Sequence, residues 1–399
     1  MYTVPSISRS ILMVAMFLIS SFLLKAQSTK VPGIVVAYVP ASTKTFIGSP
    51  SICRLPDGKL VASHDYFGPA SNEHEQAATA VFQSSDNGKS WKKISLIYGQ
   101  FWSNLFVHQG LLYLMGTWKH HGNLIIRRSA DGGNTWTEPI SNKSGLLREG
   151  EYHTAPMPML IHNNRIWRAI EYAKSESKLW GLRYSAMMIS APLNADLLEA
   201  SSWTTTNFLS HNPTYLEGKF RGWIEGNAVL TPDGKLVDYL RVSSTEKGRE
   251  QAAVVSISED GLNASFDPAT GFLDFEGGAK KFSIRYDPKS KLYWTICNRT
   301  SSEFKNLDAG SVRNQLVIKS SPDLKKWTVH QLLLSHPDVL KHGFQYIDWQ
   351  FDGNNIIYLS RTAWDDEEGG ADNYHNANYL TFHRIAHFRR LKHQSISPD

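Results

Sequence analysis

Histidine, arginine and tyrosine side chains dominate the positions that the chain's repeat pattern predicts at one end of the molecule. Their ionisable groups can transfer protons near neutral pH and hold an anion. The candidates for proton transfer are His64, His153 and Tyr172. The candidates for binding a ligand are Arg221, Arg241, Arg285, Arg361, Gln345, His375 and Trp223. These residue types suit removal of a proton next to a carboxylate, where arginine neutralises the carboxylate and histidine or tyrosine handles the protons.

Other chemistries have less support in the sequence. An ordinary glycoside hydrolase uses two carboxyl groups as acid and base or nucleophile, and isolated Asp/Glu pairs are scarce among these candidates. Each histidine or arginine could instead belong to a buried structural network. His120 and His121 are adjacent, and neighbouring residues of a strand face opposite sides, so exposed loop histidines explain them better than a metal site. No phosphate loop, dinucleotide fingerprint or spaced Cys/His zinc pattern occurs, so no cofactor is predicted to be required and any metal is unknown.

Composition limits the class of protein. The chain has 399 residues, 41% of them hydrophobic, which is enough for a large core. The net charge is +5, but the basic residues are scattered, so nucleic acid is not an expected partner. Only Cys53 and Cys297 occur, and the sequence leaves open whether they pair.

The N-terminus carries an export pattern. Arg9 precedes an apolar run at residues 11–24, and Ala26 follows at a possible cleavage position. Residues 1–27 are therefore predicted to be a signal peptide of a periplasmic or secreted protein. A tethered N-terminal anchor is the alternative. The run is too short to span a membrane and no second run follows.

A repeated hairpin predicts the fold. An apolar strand, a polar turn and a second apolar strand recur at residues 51–65, 105–118, 158–173, 227–242, 282–299 and 348–363. Several hairpins are followed by a third strand, a polar turn and an aromatic residue that starts a fourth strand. This pattern predicts an all-β fold, a single β-propeller over residues 28–399 with four-stranded blades. Residues 33–40 would complete the last blade, and two separate β-sandwiches are the alternative.

Two turns share the pattern Ser-x-Asp-x-Gly-x-x-Trp, at residues 84–91 and 129–136, and weaker copies occur at 258–266 and 321–327. The aspartate of such a turn can accept backbone N–H groups and its glycine can take a left-handed conformation. The motif therefore predicts scaffolding between the third and fourth strands, and no catalytic role for Asp86 or Asp131. In a propeller, the ligand-binding positions lie before the first strand or after the second strand of each blade. Arg285 lies inside a first strand and is predicted to point along the central channel.

These turns are the Asp boxes of sialidase-like propellers, and longer segments carry a more specific resemblance. The segments are residues 343–366 and 373–389, with IGSPSI, ASHDYFGP, SNLFVHQGLLYLMGT, WIEGNAV and GGAKKFSIRYDP. The mature chain resembles the propeller proteins of carbohydrate-degrading Bacteroidetes that span glycoside hydrolase family 145 and polysaccharide lyase family 42. The resemblance implies seven blades, although six hairpins are counted. It also implies action on L-rhamnose linked α-1,4 to D-glucuronate in arabinogalactan side chains, and some relatives hold a structural calcium ion in the channel.

Two chemistries occur in that group, elimination at the glucuronate and hydrolysis. The hydrolases of the group use a histidine on the opposite face, whereas the first hairpin turn here, residues 55–59, has none. The prediction is thus an exo-acting, monomeric lyase in which His64 and His153 share acid and base roles, with Tyr172 and two arginines, Arg221 and Arg285, holding the sugars. An α-L-rhamnosidase and a non-catalytic glycan-binding propeller are the alternatives. A sialidase is not favoured, because the sequence assigns no arginine triad with a tyrosine and a glutamate.

Overall fold

The computed structural model describes residues 30–392, in which antiparallel strands are joined by loops and short 3₁₀ helices. The predicted signal peptide lies outside these residues. The 3₁₀ helices are Ala41–Thr43, Ala200–Ser202, Tyr215–Gly218, Ser302–Phe304, Ala309–Ser311 and Phe388–Arg390. Within the described part of the chain, no helix is long and apolar enough to cross a membrane.

After the N-terminal strand β1 (Ile34–Tyr38), the strands form successive units, here called blades, which have four strands each except for the five-stranded blade 4. Blade 1 contains β2 (Phe46–Arg54), β3 (Leu60–Phe67), β4 (Ala78–Ser84) and β5 (Lys92–Tyr98). Blade 2 contains β6 (Phe101–His108), β7 (Leu111–Thr117), β8 (Gly122–Ser129) and β9 (Leu146–His153). Blade 3 contains β10 (Leu160–His162), β11 (Arg165–Tyr172), β12 (Ser185–Pro192) and β13 (Thr204–Thr205).

The second half of the chain repeats this plan. Blade 4 contains β14 (Phe220–Leu230), β15 (Leu236–Ser244), β16 (Gln251–Ile257), β17 (Ala264–Ser265) and β18 (Phe272–Asp274). Blade 5 contains β19 (Ser283–Asp287), β20 (Leu292–Asn298), β21 (Gln315–Ser321) and β22 (Thr328–Ser335). Blade 6 contains β23 (Gly343–Asp352), β24 (Asn355–Ala363) and β25 (Tyr379–Ile385), and β1 pairs with β25 as its fourth strand.

The described residues therefore confirm the predicted β-propeller. Five sheets form, and the eight-stranded one holds blades 2 and 3, so there are six blades, as the hairpins indicated. The seven blades implied by the resemblance are wrong for this chain. Blades 2 and 3 share a sheet because the end of β9 also pairs with β11, at Tyr152 and His153.

Hydrogen bonds between first strands close the ring. Ser51 Oγ of blade 1 donates to Asp348 of blade 6 (2.8 Å) and accepts from Leu105 N of blade 2 (2.9 Å). Ile284 N of blade 5 donates to Asn227 Oδ1 of blade 4 (2.9 Å). Because these buried side chains satisfy backbone groups of the next blade, they fix how the blades are spaced around the axis.

The Asp boxes lie between the third and fourth strands, as predicted. In blade 2, Asp131 accepts hydrogen bonds from Thr135 N (2.9 Å), Thr135 Oγ1 (2.7 Å) and Ser129 Oγ (2.8 Å). In blade 1, the indole of Trp91 packs 5.5 Å from the ring of Phe382 in blade 6. The aspartate thus holds the turn and the tryptophan contacts the neighbouring blade.

Replacing Asp131 with alanine should lower the melting temperature by a few degrees and leave kcat unchanged, because the turn loses several hydrogen bonds far from the mouth of the ring. Thermal unfolding and steady-state kinetics of the same preparation check this. A fall in kcat without a fall in melting temperature would give Asp131 a role in catalysis.

The two cysteines do not pair. Cys53 and Cys297 are both buried and free, and they lie in different hydrophobic clusters. Burial raises the pKa of the Cys53 thiol to about 12, so it stays protonated and unreactive at neutral pH.

Candidate active site

In three blades, the first strand carries a bulge near one end of the ring. This end is called the mouth below. Trp102 of blade 2, Glu225 of blade 4 and Tyr346 of blade 6 all have a positive φ, of 52°, 58° and 53°. The strand register shifts at each of these positions. A bulge releases its residue from the ladder and turns the side chain aside, and a left-handed conformation costs a non-glycine residue about 1–2 kcal/mol. The same strained feature in three blades indicates a functional site.

Glu225 and Tyr346 lie next to each other at the mouth. Glu225 is buried, and its Oε2 accepts a hydrogen bond from Arg241 Nη1 at 2.9 Å. Burial favours a raised pKa for Glu225, but the neighbouring Arg241 guanidinium outweighs burial, so the pKa is lowered and the group is a carboxylate at neutral pH. Burial and the Glu225 charge raise the pKa of the Tyr346 phenol. Glu225 Oε1 has no hydrogen-bond partner among the described residues, so it can accept a proton.

Two further arginines face Tyr346. The guanidinium carbon of Arg361 lies 5.0 Å from the centre of the Tyr346 ring, and that of Arg313 lies 5.6 Å from it. Arg241, Arg313 and Arg361 are called the arginine cluster below. All three are at least nine-tenths buried. Burial lowers the pKa of Arg361 to about 10, so its guanidinium keeps its charge at neutral pH.

Gln345 and the loop after β24 hold the cluster in place. Gln345 Oε1 accepts a hydrogen bond from Arg313, and its Nε2 donates to the carbonyl of Tyr374 at 2.5 Å. Arg361 Nη2 donates to the carbonyl of His375 at 2.5 Å. Burial and the positive charges of Arg361 and Arg313 keep the pKa of His375 well below its usual value, so His375 is neutral.

A cavity of about 500 Å³ opens beside this cluster. Its wall includes Trp180, Arg241, Arg313, Tyr346, Tyr374 and His375. Trp180 is half exposed, and its ring lies 5.0 Å from the Arg241 guanidinium carbon. A cavity of this size fits a small ligand such as one or two sugar rings, and its aromatic rings offer stacking faces.

A histidine–carboxylate pair lies on the other side of Glu225. His153 Nδ1 and Glu171 Oε2 are 2.7 Å apart, and both side chains are buried. A carboxylate on Nδ1 holds the imidazole with its Nε2 lone pair available as a base. The His153 ring contacts the rings of Trp102 (4.8 Å) and Tyr184 (4.7 Å), so the pair belongs to the same mouth.

Asp65 connects the mouth ends of blades 1 and 2. It accepts backbone N–H groups from Ser49 (2.5 Å) and Trp102 (2.8 Å). Burial raises the pKa of Asp65 to about 7, although the two N–H groups and the charge of Arg361 oppose the rise. Asp65 is thus a carboxyl group at the mouth that exchanges its proton near neutral pH.

The structure brings together half of the ten site residues that were predicted from the sequence. His153, Arg241, Arg361, Gln345 and His375 all lie at the mouth.

His64 and Tyr172 are separated from that group. The His64 ring is fully buried between Tyr66 (4.7 Å) and Phe82 (5.6 Å), in the packing between blades 1 and 6. Burial lowers its pKa to about 4, so it is a neutral core residue. Tyr172 stacks on Phe208 at 4.6 Å. This geometry does not support shared acid and base roles for His64 and His153.

Arg221, Trp223 and Arg285 also point elsewhere. Arg221 is exposed, and Trp223 is buried in the core between blades 3 and 4, where its indole donates to the Leu209 carbonyl (3.1 Å). Arg285 lies in the channel toward the opposite end, where its Nε donates to the carbonyl of Trp349 at 2.6 Å. Regular alternation would put Arg221, Trp223 and Glu225 on one side of β14, and the register shifts at residues 220–222 and 224–227 separate them.

The channel does not fit the calcium ion that the resemblance implied. The Asp348 carboxylate in the channel already accepts hydrogen bonds from Ser51 Oγ and Ile52 N. The cationic groups of Lys281 and Arg285 interact with the same carboxylate. Calcium requires six to eight oxygen ligands, which these residues do not supply.

Tyr346, Arg313 and Glu225 were missed as central residues for different reasons. Glu225 and Tyr346 lie within the first strands β14 and β23, where a bulge, which the sequence does not mark, decides which residue faces the axis. Arg313 comes from the loop before β21, outside the positions that the blade repeat selects. With Arg241 and Arg361 it forms the arginine group around a tyrosine and a glutamate that the sequence did not assign.

Comparison with known proteins finds similar folds among solved structures but no related sequence. No family model matches the sequence, and no curated protein matches it. Among solved structures, the Penicillium chrysogenum α-L-arabinanase bound to arabinobiose is 14% identical over 91% of this chain and 99% of that chain, with a TM-score of 0.55. An α-L-arabinofuranosidase from Fusarium graminearum is 12% identical over 91% and 99%, with a TM-score of 0.55. The Trypanosoma rangeli sialidase bound to sialic acid is 12% identical over 90% and 58%, with a TM-score of 0.50.

At these identities the likeness concerns the fold alone. This chain has the β-propeller fold of these glycosidases, and its function is argued below from its own residues.

Proposed function

We propose that this protein cleaves the glycosidic bond of a sugar that carries a carboxylate. The observation that carries the proposal is the arginine cluster around Tyr346, which is itself paired with Glu225. Two guanidinium groups of this cluster, those of Arg241 and Arg313, line the cavity and supply the flat, bidentate contacts that a carboxylate accepts. Glu225 neutralises only one of them, through Arg241. The remaining positive charge favours an anionic ligand.

The bond is cleaved by hydrolysis in the mechanism that this geometry favours. Tyr346 is the nucleophile, and the free Oε1 of Glu225 takes the phenol proton as the oxygen attacks the anomeric carbon. Asp65 donates its proton to the leaving oxygen, because its raised pKa keeps it partly protonated at neutral pH. Water then releases the sugar from Tyr346 in a second step, with Asp65 now acting as the base.

The pH profile of kcat should report Asp65. Its raised pKa of about 7 means that the proton needed by the leaving group is present below pH 7 and lost above it, so kcat should fall as the pH rises through 7. In Asp65→Asn this alkaline limb should disappear and kcat should be lower by at least about 10²-fold. Initial rates across the pH range, with thermal unfolding as the folding control, measure it. An unchanged alkaline limb in the variant would remove Asp65 as the acid.

Elimination at a uronate is the second candidate, and the His153–Glu171 pair is the observation that favours it. The arginine cluster would neutralise the uronate carboxylate, and His153 Nε2 would take the proton next to it. The substrate in this case is the L-rhamnose-α-1,4-D-glucuronate cap that the sequence resemblance implied. Both candidate functions require a bound carboxylate. They differ in the side chain that reacts, which is Tyr346 in hydrolysis and His153 in elimination.

One experiment separates the two candidates. The purified protein is incubated with a panel of oligosaccharides and aryl glycosides that end in uronic or other carboxylated sugars, including rhamnosyl-glucuronate from a gum arabic digest. Sugar release is followed together with the ultraviolet absorbance of a conjugated, unsaturated uronate. Release without new absorbance indicates hydrolysis, and release with it indicates elimination. Binding without any product would leave a glycan-binding propeller.

A further inference from the structure

A cluster of histidine and glutamate side chains lies at the rim of the mouth, outside the proposed catalytic groups. Glu73 and His74 come from the loop between β3 and β4 of blade 1. His120 comes from the loop between β7 and β8 of blade 2. The backbone already joins the two loops, because His120 N donates to the carbonyl of Glu73 at 2.8 Å.

The three side chains present one ligand atom each to a common point. Glu73 Oε1 lies 3.2 Å from His74 Nε2 and 3.4 Å from His120 Nδ1, and all three atoms are within 4.8 Å of one another. Zinc bonds of about 2.0–2.1 Å at tetrahedral angles place neighbouring ligand atoms about 3.3–3.4 Å apart. The two measured separations match that edge length. The exposed His74 side chain can rotate to close the third edge.

The charges also suit a cation. Glu73 supplies the one acidic group of the cluster, and it lies between two imidazoles whose nitrogen atoms can bind a metal. His120 Nδ1 is buried and has no hydrogen-bond partner among the described residues. Glu73 Oε2 is held by the backbone N–H of Gly68 (3.2 Å), which orients Oε1 toward the two imidazoles.

We infer that Glu73, His74 and His120 bind one divalent transition metal ion of the zinc class, with a fourth position open to water. Two imidazoles and one carboxylate are a common set for this class, whereas calcium and magnesium prefer oxygen ligands alone. The sequence did not predict the site because its ligands lie on two blades and only the propeller ring brings them together.

The proposed metal site connects the loops of blades 1 and 2, and it lies against Trp102, a residue of the mouth. The His120 ring packs 5.3 Å from the ring of Trp102, and the Trp102 indole donates to the His120 carbonyl at 2.8 Å. A metal on His120 therefore fixes the loop against which the bulged Trp102 rests. This inference does not depend on the proposed function, since Glu73, His74 and His120 take no part in the proposed cleavage.

The test uses full-length, tag-free protein that has been stripped of metal. Titration with zinc chloride in a calorimeter should show one site with a Kd in the micromolar range or tighter, and saturation should raise the melting temperature. Cobalt(II) in place of zinc should give the intense visible absorption of four-coordinate cobalt. Glu73→Gln and His74→Ala should each weaken zinc binding at least about tenfold. Because His74 is largely exposed, its loss should leave the apo protein folded.

His387→Ala is the matched control, since His387 is an exposed histidine on blade 6, and it should bind zinc like the wild type. The inference is overturned if wild-type protein binds zinc no more tightly than His74→Ala. It is also overturned if bound cobalt shows only the weak absorption of a six-coordinate ion. Glycan cleavage is not a readout in any of these arms, so a failure here is distinct from a failure of the proposed function.

Discussion

Tyr346→Phe should lower kcat by at least about 10³-fold while the anionic sugar still binds. The substitution removes one oxygen and keeps the ring that packs between Arg361 and Arg313. Without the phenol, Glu225 has no nucleophile to activate, although the arginine cluster still holds the carboxylate. Initial rates give kcat, and calorimetric titration with the product sugar gives the affinity.

Tyr374→Phe is the matched control, because Tyr374 also lines the cavity and its ring lies 5.8 Å from Arg313. It should keep kcat within a few-fold of the wild type. If Tyr346→Phe retains full activity and the product absorbs as an unsaturated uronate, the reacting base is His153 and the second candidate function is the right one.

Arg313→Met should lower kcat/KM for a carboxylated substrate by about 10²-fold, equivalent to about 2.7 kcal/mol. Charge-assisted hydrogen bonds to a buried carboxylate contribute about this much. Methionine keeps part of the apolar stem and removes the charge. The same substitution should change kcat/KM for the carboxyl-reduced substrate by only a few-fold, because that substrate has no charge to lose.

Arg221→Met provides the comparison for this pair of measurements. Arg221 is exposed near the start of β14, and its removal changes the net charge by the same amount. It should leave kcat/KM for both substrates close to the wild-type values. Equal losses in Arg221→Met and Arg313→Met would mean that the overall positive charge, and not the arginine cluster, attracts the substrate.

The fold followed from the sequence because its signals are local. Each hairpin shows its alternating strands and its turn within about fifteen residues, and each Asp box marks the step from third to fourth strand. The fourth strand of blade 6 was also predicted, from the apolar segment at residues 33–40. The blade number was better given by counting these hairpins than by the family resemblance.

The site was only partly predictable, for two physical reasons. A side chain at the start of a first strand faces the axis or the core according to a one-residue shift, and the bulges at Glu225 and Tyr346 make that shift. Trp223, two residues before Glu225, accordingly lies in the core. The second reason is that loops contribute residues from outside the repeat, as Arg313 does. Residue type, together with the rule that ligand-binding positions lie before the first strand or after the second strand of a blade, correctly placed Arg241, Arg361 and His153 at the mouth.

The claim that the cavity binds and cleaves a carboxylated sugar is tested most directly by comparing two substrates on the wild-type protein. The first is a glycoside from the panel whose terminal sugar carries a carboxylate, and the second is the same glycoside with that carboxylate reduced to an alcohol. We predict that the acid is cleaved and that kcat/KM for the alcohol is at least about 10²-fold lower. Equal kcat/KM values for the two substrates would contradict the account.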